Sequence, residues 1–250
     1  MRPKKSLGQH FLVDENILGV IERLAGLAPA DVVLEVGPGL GVLTRFLAER
    51  VAHVHAVELD RRLAPELAGI PHATIHWGDA MQLDIESLEP APHKFVANLP
   101  YNVATPLVAE SLGVRRLELW CVMVQREVAD RFFAEPSTKA YGAVSVMVQL
   151  ATERVGFHPV SREVFRPRPN VDSALVAFRR LASGASPQVK RVVEASFSHR
   201  RKTLANALAL AGLAPRARAV EALDAIGRAA NVRAEELEPP EFVALTEALG

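Results

Sequence analysis

Asp31-Val32-Val33-Leu34-Glu35-Val36-Gly37-Pro38-Gly39-Leu40-Gly41 is the stretch that decides the fold. An apolar run enters a glycine-rich turn and is followed by Val42, Leu43, Phe46 and Leu47 at helical spacing. This reads as buried strand, tight loop and helix, the order that a nucleotide site in an α/β sheet requires. Glycine lets the backbone turn tightly and lets a ligand approach it closely. A second run, His53-Val54-His55-Ala56-Val57, ends at Glu58, about 20 residues beyond the first glycine, where an acid accepts hydrogen bonds from ribose hydroxyls. The glycines follow G-x-G-x-G in place of G-x-G-x-x-G, which favours a ligand without a pyrophosphate over a dinucleotide.

Working outward, Ala73–Trp77 predicts a third strand leading to Gly78-Asp79-Ala80. Asp79 at that strand end either accepts from an adenine amine or caps the turn. A fourth strand, Lys94-Phe95-Val96-Ala97, delivers Asn98-Leu99-Pro100-Tyr101. Taken alone, that tetrapeptide is a strand-to-loop turn. In a site it supplies an amide oxygen acceptor, main-chain carbonyls aimed by a fixed turn and an aromatic stacking face, the apparatus that activates an exocyclic amine on a planar base. A helix with Leu107, Val108 and Leu112 leads to a fifth strand over 117–124. Alternating strands and helices predict a parallel, doubly wound sheet with right-handed crossovers. The glycine loop, Glu58, Asp79 and Asn98 then converge at its carboxyl edge.

The remainder is read more coarsely. Residues 1–13 form a basic arm, Asp14 caps a helix with Ile17, Leu18, Ile21 and Leu24 on one face, and 141–150 is helical. Residues 164–173 form a rigid basic loop in which Pro167 and Pro169 flank Arg168, and Phe165 either stacks on a base or enters the core. A strand over 174–178 and a linker over 183–187 follow, then helices over 188–210, over 216–226 and from about Pro240. Within the first of these, Phe197 to Leu204 reads as a basic helix face.

At 250 residues and 49% hydrophobic content the chain can bury one large domain with an appendage, or two modest ones. The sequence holds no apolar run near the roughly 20 residues of a membrane span and no signal-peptide core after Met1-Arg2-Pro3-Lys4-Lys5, so a cytoplasmic location is expected. Cys121, the single cysteine, excludes disulfides within the chain. The net charge of +0 hides a basic concentration between 161 and 202, offset by late acids such as Glu235, Glu236 and Glu238. His53 with His55 and His72 with His76 lack companion ligands, so no metal is expected, and no Gly-x-Ser-x-Gly elbow is present.

Gly8-Gln9-His10-Phe11-Leu12, Glu35 to Gly41, Glu58, Gly78-Asp79-Ala80, Asn98 to Tyr101, the Phe165 to Ser173 segment and Arg200-Arg201-Lys202-Thr203-Leu204 with Asn206 appear in an order that resembles the KsgA family of ribosomal RNA adenine dimethyltransferases. The resemblance covers nearly the whole chain. It implies a Rossmann-like α/β domain over 1–182, with the basic arm, and a helical RNA-binding domain over 183–250. It also implies S-adenosylmethionine held by His10, Leu12, Gly37, Gly39, Glu58, Asp79 and Asn98. Catalysis would fall to Asn98, Leu99, Pro100 and Tyr101, with Phe165 completing a base sandwich, and RNA contacts to Arg166, Arg168, Arg200, Arg201 and Lys202. The implied substrate is a pair of adjacent adenosines near the 3′ end of 16S rRNA in the small ribosomal subunit, each methylated twice at N6 by a monomer. Three alternatives remain: a large-subunit rRNA adenine methylase of the macrolide-resistance type, a ribosome-assembly factor with secondary methylation, and a small-molecule or DNA amine methyltransferase, which would leave the C-terminal basic segment without a purpose.

Overall fold

The computed structural model describes residues 10–182 and 184–250; Gly8, Gln9 and the basic residues of the predicted arm, and Ser183 of the predicted linker, lie outside the described residues. The chain divides into two compact units. The first takes in the described residues through Ala129 together with Arg154–Arg180; the second is Asp130–Glu153 with Leu181–Gly250. A single boundary near 182 therefore misassigns the segment 130–153, which belongs with the helices. The reason is burial: Tyr141 and Val146 pack in one core with Val193, Leu208 and Phe242, and the Tyr141 hydroxyl donates to the Leu237 carbonyl at 2.8 Å.

The first unit is built on strands β2 (Val32–Val36), β3 (His53–Glu58), β4 (Ala73–Trp77), β5 (Lys94–Asn98), β6 (Leu119–Gln125), β7 (Thr152–Val160) and β9 (Ser173–Arg180), in the spatial order β4-β3-β2-β5-β6-β9-β7. Strands β4 through β6 in that order run parallel, whereas β9 is antiparallel to β6. The sheet is therefore mixed rather than wholly parallel. Every residue of β2 is buried, as a near-continuous apolar run between two neighbours demands. Because β3 and β5 lie on either side of β2, the strand order reverses at β2 and β5, and their carboxyl ends open a crevice.

Helix α1 (Glu15–Ala25) is capped as expected, Asp14 accepting from the Asn16 N–H, and its apolar face, Ile17, Leu18 and Ile21, enters the core of the sheet. Helices α2 (Val42–Ala48) and α4 (Ala104–Ser111) follow the glycine loop and the Asn98 segment. Strand β7 and the short helix α5 (Arg126–Phe132) carry no period in the sequence. Strand β7 sits at the sheet edge, largely uncovered and carrying Gly156 and Pro159, and Pro is tolerated at such an edge.

In the second unit, α6 (Ala143–Ala151), α7 (Pro187–Phe197), α8 (Leu204–Leu210), α9 (Arg216–Ala225) and α10 (Pro239–Leu249) enclose their own core. The expected single helix over 188–210 is broken between Phe197 and Leu204. Ser198 folds back on Ala195 through both its N–H and its hydroxyl, and Thr203 is extended at the start of α8. Arg200, Arg201 and Lys202 thus stand on a turn and form no helix face.

Four histidines, His53, His55, His72 and His76, gather at β3 and β4. The His55 Nε2–H donates to the Pro90 carbonyl at 2.8 Å, which leaves Nδ1 to accept from His76 Nε2 at 3.0 Å. Burial holds His53 and His76 below the ordinary value of 6.5, with neighbouring imidazoles adding to the effect. A depressed histidine contributes its full stability above that value and loses it as pH falls through the folded value. The histidine contribution is therefore lost between about pH 7.5 and 5.5, so the difference in melting temperature between wild type and His76→Gln is expected to move against wild type as pH falls across this range; paired thermal unfolding series read that difference.

Candidate active site

The carboxyl ends of β2 to β5 open onto one cavity within the first unit, lined by the glycine loop, Glu58, Asp79, Asn98 to Asn102 and the arm residues His10 to Leu12. Gly37 and Gly39 have φ of 77° and 57°, in the left-handed region that other residues rarely occupy. A Cβ on Gly37 would lie 3.2 Å from Pro100, and one on Gly39 would lie 2.9 Å from the Phe11 ring. The loop therefore packs against the Asn98 segment on one side and the arm on the other.

Glu58 ends β3, 6% exposed. Its Oε2 accepts from the Gly39 N–H at 3.2 Å and its Oε1 from the Asp60 N–H at 2.8 Å. Burial raises its pKa and these two donors oppose the rise. A carboxylate has about four lone-pair positions, so two remain for a ligand. Asp79 is exposed, and its Oδ1 accepts from the Met81 N–H at 2.9 Å. It caps the turn and lines the cavity at once, so its two readings coexist.

The Asn98 Nδ2 donates to the main-chain carbonyl of His10 at 3.2 Å. A carbonyl only accepts, so the amide nitrogen must face the arm, and Oδ1 is left as an acceptor in the cavity wall. The Leu99 N–H is spent on the Met123 carbonyl at 3.0 Å, and the Pro100 carbonyl accepts from the Val103 N–H at 3.1 Å. The Leu99 carbonyl is thus the freer main-chain acceptor beside Asn98. Tyr101 is half-buried, its hydroxyl 2.6 Å from the Ser173 hydroxyl and its ring stacked on His10 with centroids 5.3 Å apart. The His10 Nδ1–H donates to the Pro167 carbonyl at 2.8 Å, so the imidazole ties the arm to the proline loop.

Leu12 lies in β1 (Phe11–Leu12), which pairs antiparallel with β8 (Phe165–Arg166), Leu12 facing Phe165. This pairing turns Phe165 inward. Its ring is fully buried in the core with Leu12, Leu175 and Ala177 and does not line the cavity, so the expected stacking face is not presented. Among the basic residues expected at RNA, Arg166 donates to the Glu163 and Phe165 carbonyls and Arg168 pairs with Glu163 at 2.7 Å. In the second unit Arg200 donates to the Tyr141 carbonyl at 2.9 Å, while Arg201 and Lys202 are exposed on their turn.

Glu35 is a cavity residue to which its sequence context assigned no role. It is 1% exposed on β2 and lines the cavity behind the glycine loop, its Oε2 without a hydrogen-bond partner. The Thr44 hydroxyl on α2 is buried beside it, close enough to favour the ionised form slightly though not in good hydrogen-bonding geometry. Burial, with the Glu58 charge nearby, pushes the Glu35 carboxyl up to about 8. The available signal was an acid inside an otherwise apolar strand. Cys121 is buried in β6, its thiol pushed up to about 12 by burial. Among the described residues no cluster of His, Cys, Asp or Glu could hold a metal ion, and no helix is long and apolar enough to cross a membrane.

Two acids at strand ends, a glycine cradle that any side chain would fill and an unpartnered buried carboxylate fit a nucleoside bearing positive charge. The cavity lining contains no lysine or arginine among the described residues, which argues against a pyrophosphate. A five-strand parallel array extended by an antiparallel β9, with this cavity at its carboxyl edge, defines a Rossmann-like methyltransferase. The family model for ribosomal RNA adenine dimethylase matches residues 1–246. Curated relatives called ribosomal RNA small subunit methyltransferase A include one from Rubrobacter xylanophilus, 48% identical over 98% of this chain and 94% of its own length. Another, from Pelotomaculum thermopropionicum, is 43% identical over 98% and 90%. Among solved structures, the 23S rRNA methyltransferase ErmE is 30% identical with a TM-score of 0.64, the match covering 96% of this chain and 99% of that one. A dimethyladenosine transferase from Plasmodium falciparum, 24% identical, shares the fold with a TM-score of 0.75 over 94% and 96%. The chain belongs to the ribosomal RNA adenine dimethylase family, and family and fold together imply S-adenosylmethionine as methyl donor.

Proposed function

We propose that this protein dimethylates N6 of two adjacent adenosines in the loop near the 3′ end of small-subunit rRNA. The observation that supports it best is the orientation of Asn98: an amide oxygen and the Leu99 carbonyl stand together in the wall of a cavity suited to a charged nucleoside. The lone pair of adenine N6 is delocalised into its ring and is a poor nucleophile. Hydrogen bonds from N6–H to Asn98 Oδ1 and to the Leu99 carbonyl favour a tetrahedral nitrogen and localise that lone pair; the methylated nitrogen is strongly acidic and gives its extra proton to water, so no strong base is needed. Tyr101, a neutral phenol whose pKa burial raises further, offers a stacking face to a base taken out of its stack, which RNA loops permit cheaply. Glu58 would hold the ribose of the cofactor and Asp79 its adenine amine, with Gly37 and Gly39 leaving room for its amino-acid half and His10 and Leu12 closing the arm over it. When bound, S-adenosylmethionine supplies an electrophilic methyl group on a sulfonium. Positioning and electrostatic preorganisation carry the catalysis.

The proposed partner is the small ribosomal subunit in the cytoplasm, met by a monomer. Arg201 and Lys202, with Arg166, Arg168 and Arg200, would meet phosphates and set register with little base preference. Affinity for the subunit is therefore expected to fall with salt. In the Arg201→Ala/Lys202→Ala variant the slope of log affinity against log salt should become shallower by about 1.5, as loss of two phosphate contacts requires. Filter binding across a salt series measures it, and equal slopes would remove the turn from the interface.

Transfer of labelled methyl to undermethylated small subunits and, in parallel, to unmodified large-subunit RNA tests the substrate. N6,N6-dimethyladenosine in the small subunit supports the proposal. Label in large-subunit RNA alone would move the assignment toward the ErmE-like activity, and label in neither would leave an assembly factor on a methyltransferase fold.

A further inference from the structure

Glu35 is an acid with nothing to neutralise it. It is enclosed on β2 and borders the cavity, and one of its oxygens lacks any hydrogen bond. Burial and the one charge that reaches it make ionisation harder, and the Thr44 hydroxyl offsets only part of that cost. Across the strand pair, Glu35 stands in register with Ala56 of β3, and the charge that reaches it from that strand is Glu58, another acid. From α2 it meets Thr44, a neutral hydroxyl. The remaining titratable groups of the cavity wall are Asp79, Tyr101 and His10, and the described wall contains no lysine or arginine. An uncompensated buried carboxylate is costly and takes a proton instead.

Resting on the reading of this cavity as an S-adenosylmethionine site, we propose that Glu35 is protonated in the cofactor-free protein and releases that proton as the cationic cofactor enters. The step balances: one O–H bond of the carboxyl breaks, the proton passes to the buffer, and the resulting carboxylate faces the positive charge of the cofactor's amino-acid half. No electron transfer and no co-reactant are involved. Glu35 is thereby a positioning residue that favours a charged methyl donor and makes its binding depend on pH. This proton accounts for an acid in the centre of an apolar strand, where a valine would stabilise the empty protein better.

The test is calorimetric titration of S-adenosylmethionine into the whole protein at about pH 6.5, where the ligand's own ammonium stays charged, in two buffers of different ionisation enthalpy. The expected result is release of close to one proton per cofactor bound, with affinity rising up to about tenfold per pH unit below the Glu35 value. Glu35→Gln, which mimics the protonated acid, should bind without that release. A second readout needs no ligand. Glu35 sits at about 8 when folded against an ordinary 4.5, so its contribution to stability is complete below 4.5 and is lost as pH rises through 8. Glu35→Gln should flatten that decline in thermal unfolding. If the variant does not fold, the Glu35 carboxyl resonance in 13C-labelled wild-type protein reports the same event, shifting to the ionised position when cofactor is added near pH 6.5. Binding without proton release, or release that persists in Glu35→Gln, overturns the inference while leaving the cofactor site standing; absence of any binding overturns both.

Discussion

Asn98→Ala slows methyl transfer by about 10²- to 10³-fold at saturating cofactor and RNA, the range seen when one preorganised hydrogen-bonding group aimed at a reacting centre is removed. The amide has two jobs in the wall of the cavity. Its nitrogen is held by the His10 carbonyl, and this leaves its oxygen available to N6–H. Alanine removes the acceptor, so N6 stays planar and its lone pair stays in the ring. The lost bond to His10 costs about 1 kcal/mol of stability, too little to unfold the sheet. Affinity for the small subunit should be unchanged, because the basic contacts lie elsewhere. Single-turnover transfer of labelled methyl reads the effect, and a variant retaining more than about one-tenth of the rate would show that positioning alone drives the reaction.

Glu58→Ala is expected to weaken cofactor binding by about 100-fold and to lower stability by about 2–4 kcal/mol, since two buried N–H groups lose their acceptor together at about 1–3 kcal/mol each. Those groups are the Gly39 and Asp60 amides. One belongs to the glycine loop itself, so the loop should loosen even before cofactor is added. Glu58→Gln is not a rescue. Glutamine can present one carbonyl oxygen, and its NH2 would then face the other backbone donor. An intermediate loss in both calorimetric affinity and urea unfolding is expected for it, between wild type and Glu58→Ala.

The site was legible where strand ends determine it. The glycine loop, Glu58, Asp79 and Asn98 each follow a buried apolar run, and the parallel order of β4 to β6 brings their carboxyl ends to one edge. The readings that differed depend on contacts remote in sequence. Phe165 turns inward where the arm residues Phe11 and Leu12 pair with Arg166 and Phe165 across the chain, and no local period signals so short a ladder. The segment 130–153 joins the helical unit because Tyr141 is buried among residues contributed much later in the chain. The break between α7 and α8 is made by Ser198 and Thr203, residues that trade helix for local side-chain hydrogen bonds or an extended cap. Glu35 was visible as an anomaly, yet only its burial and its unpartnered oxygen reveal what the anomaly requires.

The central claim is that the carboxyl-edge cavity holds a nucleoside whose reactive end faces the Asn98 amide. The most direct measurement is a crystal structure of the protein with S-adenosylhomocysteine. The ribose hydroxyls should lie on the Glu58 carboxylate, the adenine amine on Asp79 and the sulfur on the Asn98 side of the cavity. A nucleoside bound elsewhere, or one lying in this cavity with its sulfur turned away from Asn98, would contradict the account.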